Sequence, residues 1–196
     1  MMDELFDNHW LPVKRLGVVQ KSQVRPIDNF KESMSNLTFG SHEKIELRAM
    51  EQILWTLVTL TKMMKKGGEI KLELKSGRQL HGFVHPEWCA NGPRFSSTCI
   101  DLKSAYKQLA LHPSEYHRTV VSLWDVDNDS AACYIMRTLP FGAAASVHRF
   151  LKVSYFLHAV GLAAGLCWGA YFDDFPTLTH DLNIKSTMAL ARGIFD

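Results

Sequence analysis

The run from Val153 to Phe172 is the most apolar stretch of the chain, and two aspartates, Asp173 and Asp174, follow it without a break. A run of this length can cross a bilayer as a helix, and Gly161, Gly165 and Gly169 have the spacing of a helix-dimer seam. Against that, His158 lies inside the run, Arg149 and Lys152 stand before it and two carboxylates close it. The segment is therefore expected to be buried in protein and not in lipid. Ionised carboxylates beside Tyr171, Phe172 and Phe175 are costly unless a cation or hydrogen-bond donors compensate them.

The 196 residues, 46% hydrophobic and 21% charged, suffice for one domain or two small lobes with a real core. Collagen-like, coiled-coil and disordered architectures are excluded. With 22 Lys and Arg against 20 Asp and Glu, the net charge of +2 is too small for a protein that coats nucleic acid by charge alone. Any such partner must be met locally. The balance moves from +3 over residues 1–80 to −1 over 81–196, and Lys14, Arg15, Lys21, Arg25 and Lys31 cluster near the start. Four isolated cysteines, with no CxxC pair and no secretory signal, lead to the expectation of a reduced, intracellular chain.

Residues 11–39 read as extended and loop-rich, with Pro12, Gly17, Pro26 and Gly40 as punctuation. The clearest helix pattern runs from Ser41, which can cap it, to Lys66, ahead of Gly67-Gly68. Alternation from Ile70 to Val84 around Ser76-Gly77 predicts a hairpin. Thr98 to Leu102 reads as a short strand, Ser104 to Leu111 as helical, and Thr119 to Trp124 with Ala131 to Arg137 as a hairpin with an acidic tip. Ala143 to Val160 resumes a helical pattern, and residues 166–179 fit a tight hairpin around the paired aspartates.

Asp101 closes the apolar strand Cys99-Ile100-Asp101, and pairing that strand with the one carrying Asp173 and Asp174 would gather three oxygen ligands. Magnesium is typically held by one or two carboxylates plus substrate phosphates. Two such ions, roughly 3.5 to 4 Å apart, would serve an in-line phosphoryl displacement. Each aspartate taken alone is more often a turn or cap residue. Two other metal patterns fail. Asp125-x-Asp127-x-Asp129 opens like a calcium loop but has Ser130 and Met136 where glycine and glutamate belong, and His85-Pro86-Glu87 lacks the second half of a zinc deaminase signature. No P-loop, nucleophile-elbow or dinucleotide fingerprint is present.

Four segments in order carry a resemblance: Lys21-Ser-Gln-Val-Arg25-Pro-Ile-Asp28, Asp101-Leu-Lys-Ser-Ala-Tyr106-Lys-Gln, Leu139-Pro140-Phe141-Gly142 and Tyr171-Phe172-Asp173-Asp174. Together they resemble the reverse transcriptase family of retroelements, the last three matching its motifs A, B and C. The resemblance implies an α+β fold with a polymerase palm-like antiparallel sheet, packed helices and partial fingers. It implies that Asp101, Asp173 and Asp174 are catalytic and hold two Mg2+ or Mn2+ ions. It further implies that Lys21 and Arg25 meet an incoming deoxynucleoside triphosphate, that Tyr106 is the aromatic gate against a ribose 2′-hydroxyl, and that Phe141 and Gly142 lie beside nucleotide and template. The activity implied is RNA-directed DNA polymerisation on a template-primer duplex, with no membrane and no stable protein partner.

On this reading the fingers-like segments are 11–39 and 112–141, an inserted helix and β-hairpin module is 40–98, and the palm-like core is 99–111 with 142–180. Residues 181–196 start a truncated C-terminal region, because the few residues after Asp174 leave no room for a thumb. The chain departs from the family after Gly142, where Ala143-Ala144-Ala145 replaces the usual Asn-Ala-Pro. The alternative to an enzyme is a catalytically inactive retroelement remnant that at most binds nucleic acid weakly.

Overall fold

The computed structural model describes residues 2–41, 44–47 and 50–195. In chain order the elements are α1 (Met2–Phe6), β1 (Pro12–Gln20), β2 (Gln23–Asp28), α2 (Met50–Lys65), β3 (Glu69–Glu73), β4 (Gln79–Phe83), α3 (Pro86–Asn91), β5 (Phe95–Asp101), β6 (Val120–Asp125), β7 (Ser130–Ile135), α4 (Ala144–Ala163), β8 (Asp174–His180) and α5 (Ile184–Gly193). The fold is α+β. It divides into two compact units, Met1–Ile45 with Lys103–Val153 and Glu46–Leu102 with Ser154–Asp196. These boundaries differ from the functional division drawn on the sequence.

The first unit is built on a sheet of order β2-β1-β6-β7. β1 pairs antiparallel with β2 and parallel with β6, and β6 pairs antiparallel with β7, so the sheet is mixed. Val13 and Val121 face one another in the parallel register and, with Phe30 and Ala143, form the buried core. The β1–β2 hairpin lies in the stretch read as loop-rich. Its turn begins at Lys21, whose φ of 58° belongs to the left-handed region, where the sequence carries no Gly or Asn signal. The helical expectation for Ser104–Leu111 is corrected to a single 3-10 turn, Ala105–Gln108. Ser104 and Ala105 take positive φ, and Leu109 and Leu111 bond instead to the 137–139 segment. The expected hairpin with an acidic tip is β6–β7.

In the second unit α2 begins at Met50, not at Ser41, which is not helical; residues 42, 43, 48 and 49 of the expected helix lie outside the described residues. It ends as expected, Gly67 and Gly68 taking φ of 87° and 85° while Gly68 N–H bonds the Met63 carbonyl. β3 and β4 form the expected hairpin around Gly77. Residues 86–91 form the short helix α3, with the His85 ring accepting from the Glu87 N–H and Pro86 in the first turn.

The apolar run from Val153 to Phe172 is helical as far as Ala163, where α4 ends, with Gly165 at φ 92° and the Leu166 N–H bonded to the Gly161 carbonyl. Among the described residues no helix is long and apolar enough to cross a membrane. The rest of the run packs back as core. Leu166, Trp168, Ala170, Phe175 and Ala191 form one buried cluster, and the Trp168 indole N–H donates to the His158 carbonyl at 3.0 Å. Glycine at 161 is required by packing, since a Cβ there would lie 2.0 Å from the Trp168 ring.

Candidate active site

β5 and β8 pair antiparallel over seven residues, from Phe95 opposite His180 to Asp101 opposite Asp174. One face is sealed by Ile100 against Phe175 and by the Thr98 and Thr177 hydroxyls, 2.7 Å apart. Strand alternation puts Cys99 and Asp101 on the other, exposed face with Asp174. The chain enters β8 through a tight turn in which Tyr171 and Asp174 exchange backbone bonds of 2.9 and 3.0 Å. Phe172 and Asp173 form its tip, Phe172 at φ 54°. Two bonds fix that tip: the buried Ser154 hydroxyl donates to the Phe172 carbonyl at 2.6 Å, and the Leu102 N–H donates to the Asp173 carbonyl at 3.0 Å.

Three carboxylates are thus gathered by the strand register, the turn and the two bonds that fix its tip. Directly opposed residues of an antiparallel pair have Cβ atoms about 5 Å apart, and like charges there are destabilising. Burial pushes the Asp173 carboxyl above the ordinary carboxylate range, its own backbone N–H offsets part of that, and the negative charges of Asp174 and Asp101 add to the rise. The Cys99 thiol is also raised, by burial first and then by Asp174, whose carboxylate accepts from Sγ at 3.8 Å.

As they stand, no three His, Cys, Asp or Glu side chains among the described residues already enclose a point where an ion would sit. The donor set nevertheless suits a hard divalent cation: all oxygen, mutually repelling, on an exposed face, with the remaining ligands left to phosphate and water. Zinc would ask for nitrogen or sulfur donors that this face, Cys99 apart, does not offer.

A raised folded-state pKa gives the Asp173 contribution its sign. The folded chain gains when Asp173 is protonated, an increment fully present below the unfolded value and lost as pH rises through the folded value. In the absence of divalent cations, Asp173→Asn should therefore melt at a higher temperature than wild type at pH 7.5. The difference should vanish below about pH 3.5, where both side chains are neutral. A variant less stable at pH 7.5 would show the ionised carboxylate to be held by donors.

The five residues assigned to the nucleotide all belong to the first unit. Lys21 and Arg25 are exposed on the β1–β2 hairpin and make no ion pair among the described residues. Tyr106, 9% exposed, stacks on Phe150 with ring centroids 4.6 Å apart and meets Phe141 edge-on at 5.6 Å. Phe141 is 62% exposed. Gly142 has φ 100°, and a Cβ on it would come within 2.7 Å of the Asp28 carbonyl oxygen. Glycine there permits a close backbone approach, and the group approached is the end of β2. Asp28 is itself fixed, 6% exposed and held by Arg15 Nε at 2.6 Å and Nη2 at 3.0 Å.

Sequence reasoning missed Asn36. Its Nδ2 donates to the Gly142 carbonyl at 3.1 Å, and its Oδ1 accepts from the Ala144 N–H, the first of α4, at 2.8 Å. One side chain thereby holds both ends of the bend between Phe141 and the helix. The only signal in sequence is an Asn in a polar turn, which is common. Asn36→Ala should destabilise the first unit by about 1–2 kcal/mol, as loss of a helix cap does, and Asn36→Asp, which keeps the acceptor, by less; chemical denaturation of the three proteins checks the order.

At the acidic tip of β6–β7 Asp125 is engaged locally, since it accepts from the Asp127 and Asn128 backbone N–H groups and from the Asn128 side chain. Comparison of the chain with protein-family models and with curated proteins finds no match to either.

Proposed function

We propose that the chain is a template-directed nucleotidyl transferase of the reverse transcriptase type, adding deoxynucleotides to a primer 3′-hydroxyl. The observation that carries this reading is the register of β5 and β8, which sets Asp101 opposite Asp174 with Asp173 at the adjoining turn. Three carboxylates forced together on an exposed face incur repulsion that a structural role does not require. Divalent cations relieve it.

In this reading β5 and β8 are the centre of a palm, and the β1–β2 hairpin belongs to the fingers. Asp101, Asp173 and Asp174 hold Mg2+ or Mn2+, which when bound supplies charge stabilisation for the attacking and leaving oxygens. The primer 3′-oxygen forms a bond to the α-phosphorus, the bond from that phosphorus to the β-phosphate oxygen breaks, and the hydroxyl proton passes to solvent as pyrophosphate leaves. Lys21 and Arg25 provide a point charge and a planar fork for the triphosphate.

The test is primer extension by the purified chain on RNA and DNA templates with magnesium or manganese. Divalent-dependent extension supports the reading, and no incorporation by the folded chain under any of these conditions overturns it in favour of an inactive remnant. Tyr106 has its own test. Tyr106→Ala should raise ribonucleotide incorporation relative to deoxynucleotide, and should also lower stability by about 3 kcal/mol through loss of the Phe150 stack and its burial. Loss of stability with unchanged sugar discrimination would make Tyr106 a core residue only.

A further inference from the structure

The first unit contains a cavity of about 590 Å³, a size that suits a small ligand, and none of the eight residues assigned to nucleotidyl transfer lines it. Trp10, Phe30, Phe39 and Leu139 make its walls apolar, while Ser146 and Arg149 reach it from α4. These last two are three residues apart and so share a face of the helix.

Both polar groups are without a protein partner among the described residues. Ser146 is 2% exposed, yet its hydroxyl makes no hydrogen bond among the described residues. No fully enclosed side-chain polar atom in the described residues lacks a partner, so the Ser146 hydroxyl is not fully enclosed, and Ser146 is one of the residues lining the cavity. Arg149 makes no ion pair or hydrogen bond among the described residues. The other charges lining the cavity cancel, because Arg118 donates to Glu115 at 3.3 Å. One unneutralised guanidinium over an apolar, aromatic chamber matches one negative charge on an apolar body.

We propose that this cavity binds a small amphipathic carboxylate, its ring or chain packed against Trp10, Phe30 and Phe39 and its carboxylate held by the Arg149 guanidinium and the Ser146 hydroxyl. A doubly charged phosphate would leave one charge unmatched, and a neutral ligand would gain no charge-assisted bond from Arg149.

The test uses naphthoate as the anionic probe and naphthamide as its neutral counterpart, titrated into the full chain by calorimetry. Naphthoate should bind saturably, one per chain, and more tightly than naphthamide. Arg149→Gln should lower naphthoate affinity by about tenfold, towards that of the amide, as loss of a charged hydrogen bond does. Ala145→Trp, which fills the cavity from α4, should abolish both. Arg149 is exposed, so its variant keeps the test decisive if Ala145→Trp does not fold. Absence of saturable naphthoate binding, equal affinity for acid and amide, or binding unaltered in Arg149→Gln would each overturn the proposal.

Discussion

Asp174→Asn is expected to reduce divalent-dependent primer extension by about 10³-fold or more, the scale on which removal of one preorganised charge-stabilising group acts. The substitution keeps shape and removes only charge. Both backbone bonds between Tyr171 and Asp174 involve main-chain atoms and survive it, and loss of the charge opposite Asp101 relieves cross-strand repulsion. Circular dichroism should be unchanged and thermal stability without metal should not fall, so that lost activity reports the carboxylate and not the fold. Asp127→Asn, exposed in the turn between β6 and β7, is the matching control and should leave extension intact. If wild type is active and Asp174→Asn is equally so, the three aspartates do not hold the catalytic ions.

The second large effect concerns the packing behind those aspartates. Trp168, 1% exposed, packs at a tilt against Phe175 and Phe195 at centroid distances of 5.1 and 5.9 Å. It also exchanges hydrogen bonds with His158, indole to carbonyl at 3.0 Å and ring nitrogen to carbonyl at 3.1 Å. Its removal in Trp168→Ala should cost about 3–5 kcal/mol. Gly161→Ala should cost about 3 kcal/mol, even though alanine is the better helix former by ~1 kcal/mol. The new methyl would occupy space held by the indole ring, and displacing the ring breaks the His158 bond. The double substitution should cost clearly less than the two single losses added, because removing the indole vacates the space the methyl needs. Additive losses in urea denaturation would mean that Gly161 matters for some reason other than Trp168.

This packing also reaches the chemistry. Trp168 bridges to Thr177 of β8, and Gly169 N–H bonds the Pro176 carbonyl at 2.8 Å. The segment that returns as β8 is thus held by the same core that seats the indole. A loosened Trp168 would release the turn at Asp173 from one side, so Gly161→Ala should lower any measured extension as well as stability.

Much of this was legible along the chain because its signals are local. Alternation around Ser76-Gly77 and across the acidic tip gave the two hairpins, and Gly67-Gly68 gave the end of α2. The β1–β2 hairpin was not legible, since its turn is made by Lys21 in a left-handed conformation that sequence preference assigns to Gly or Asn. The helical look of Ser104–Leu111 misled for the converse reason. Its composition permits a helix, but bonds to the 137–139 segment claim the backbone of Leu109 and Leu111, and a partner distant in sequence leaves no local trace.

The sequence by itself determined that three acids end or follow apolar runs, and that the run before Asp173 has charged residues on both sides and His158 within it, because charge and hydrophobicity are properties of each residue and its neighbours. Only the tertiary structure decided that Asp101 stands opposite Asp174, that Asn36 holds the bend at Gly142 and that Trp168 lies where a side chain on Gly161 would be. Strand register, a single long-range hydrogen bond and the fit of one ring into one gap are relations between distant residues, and they come into being only when the chain closes on itself.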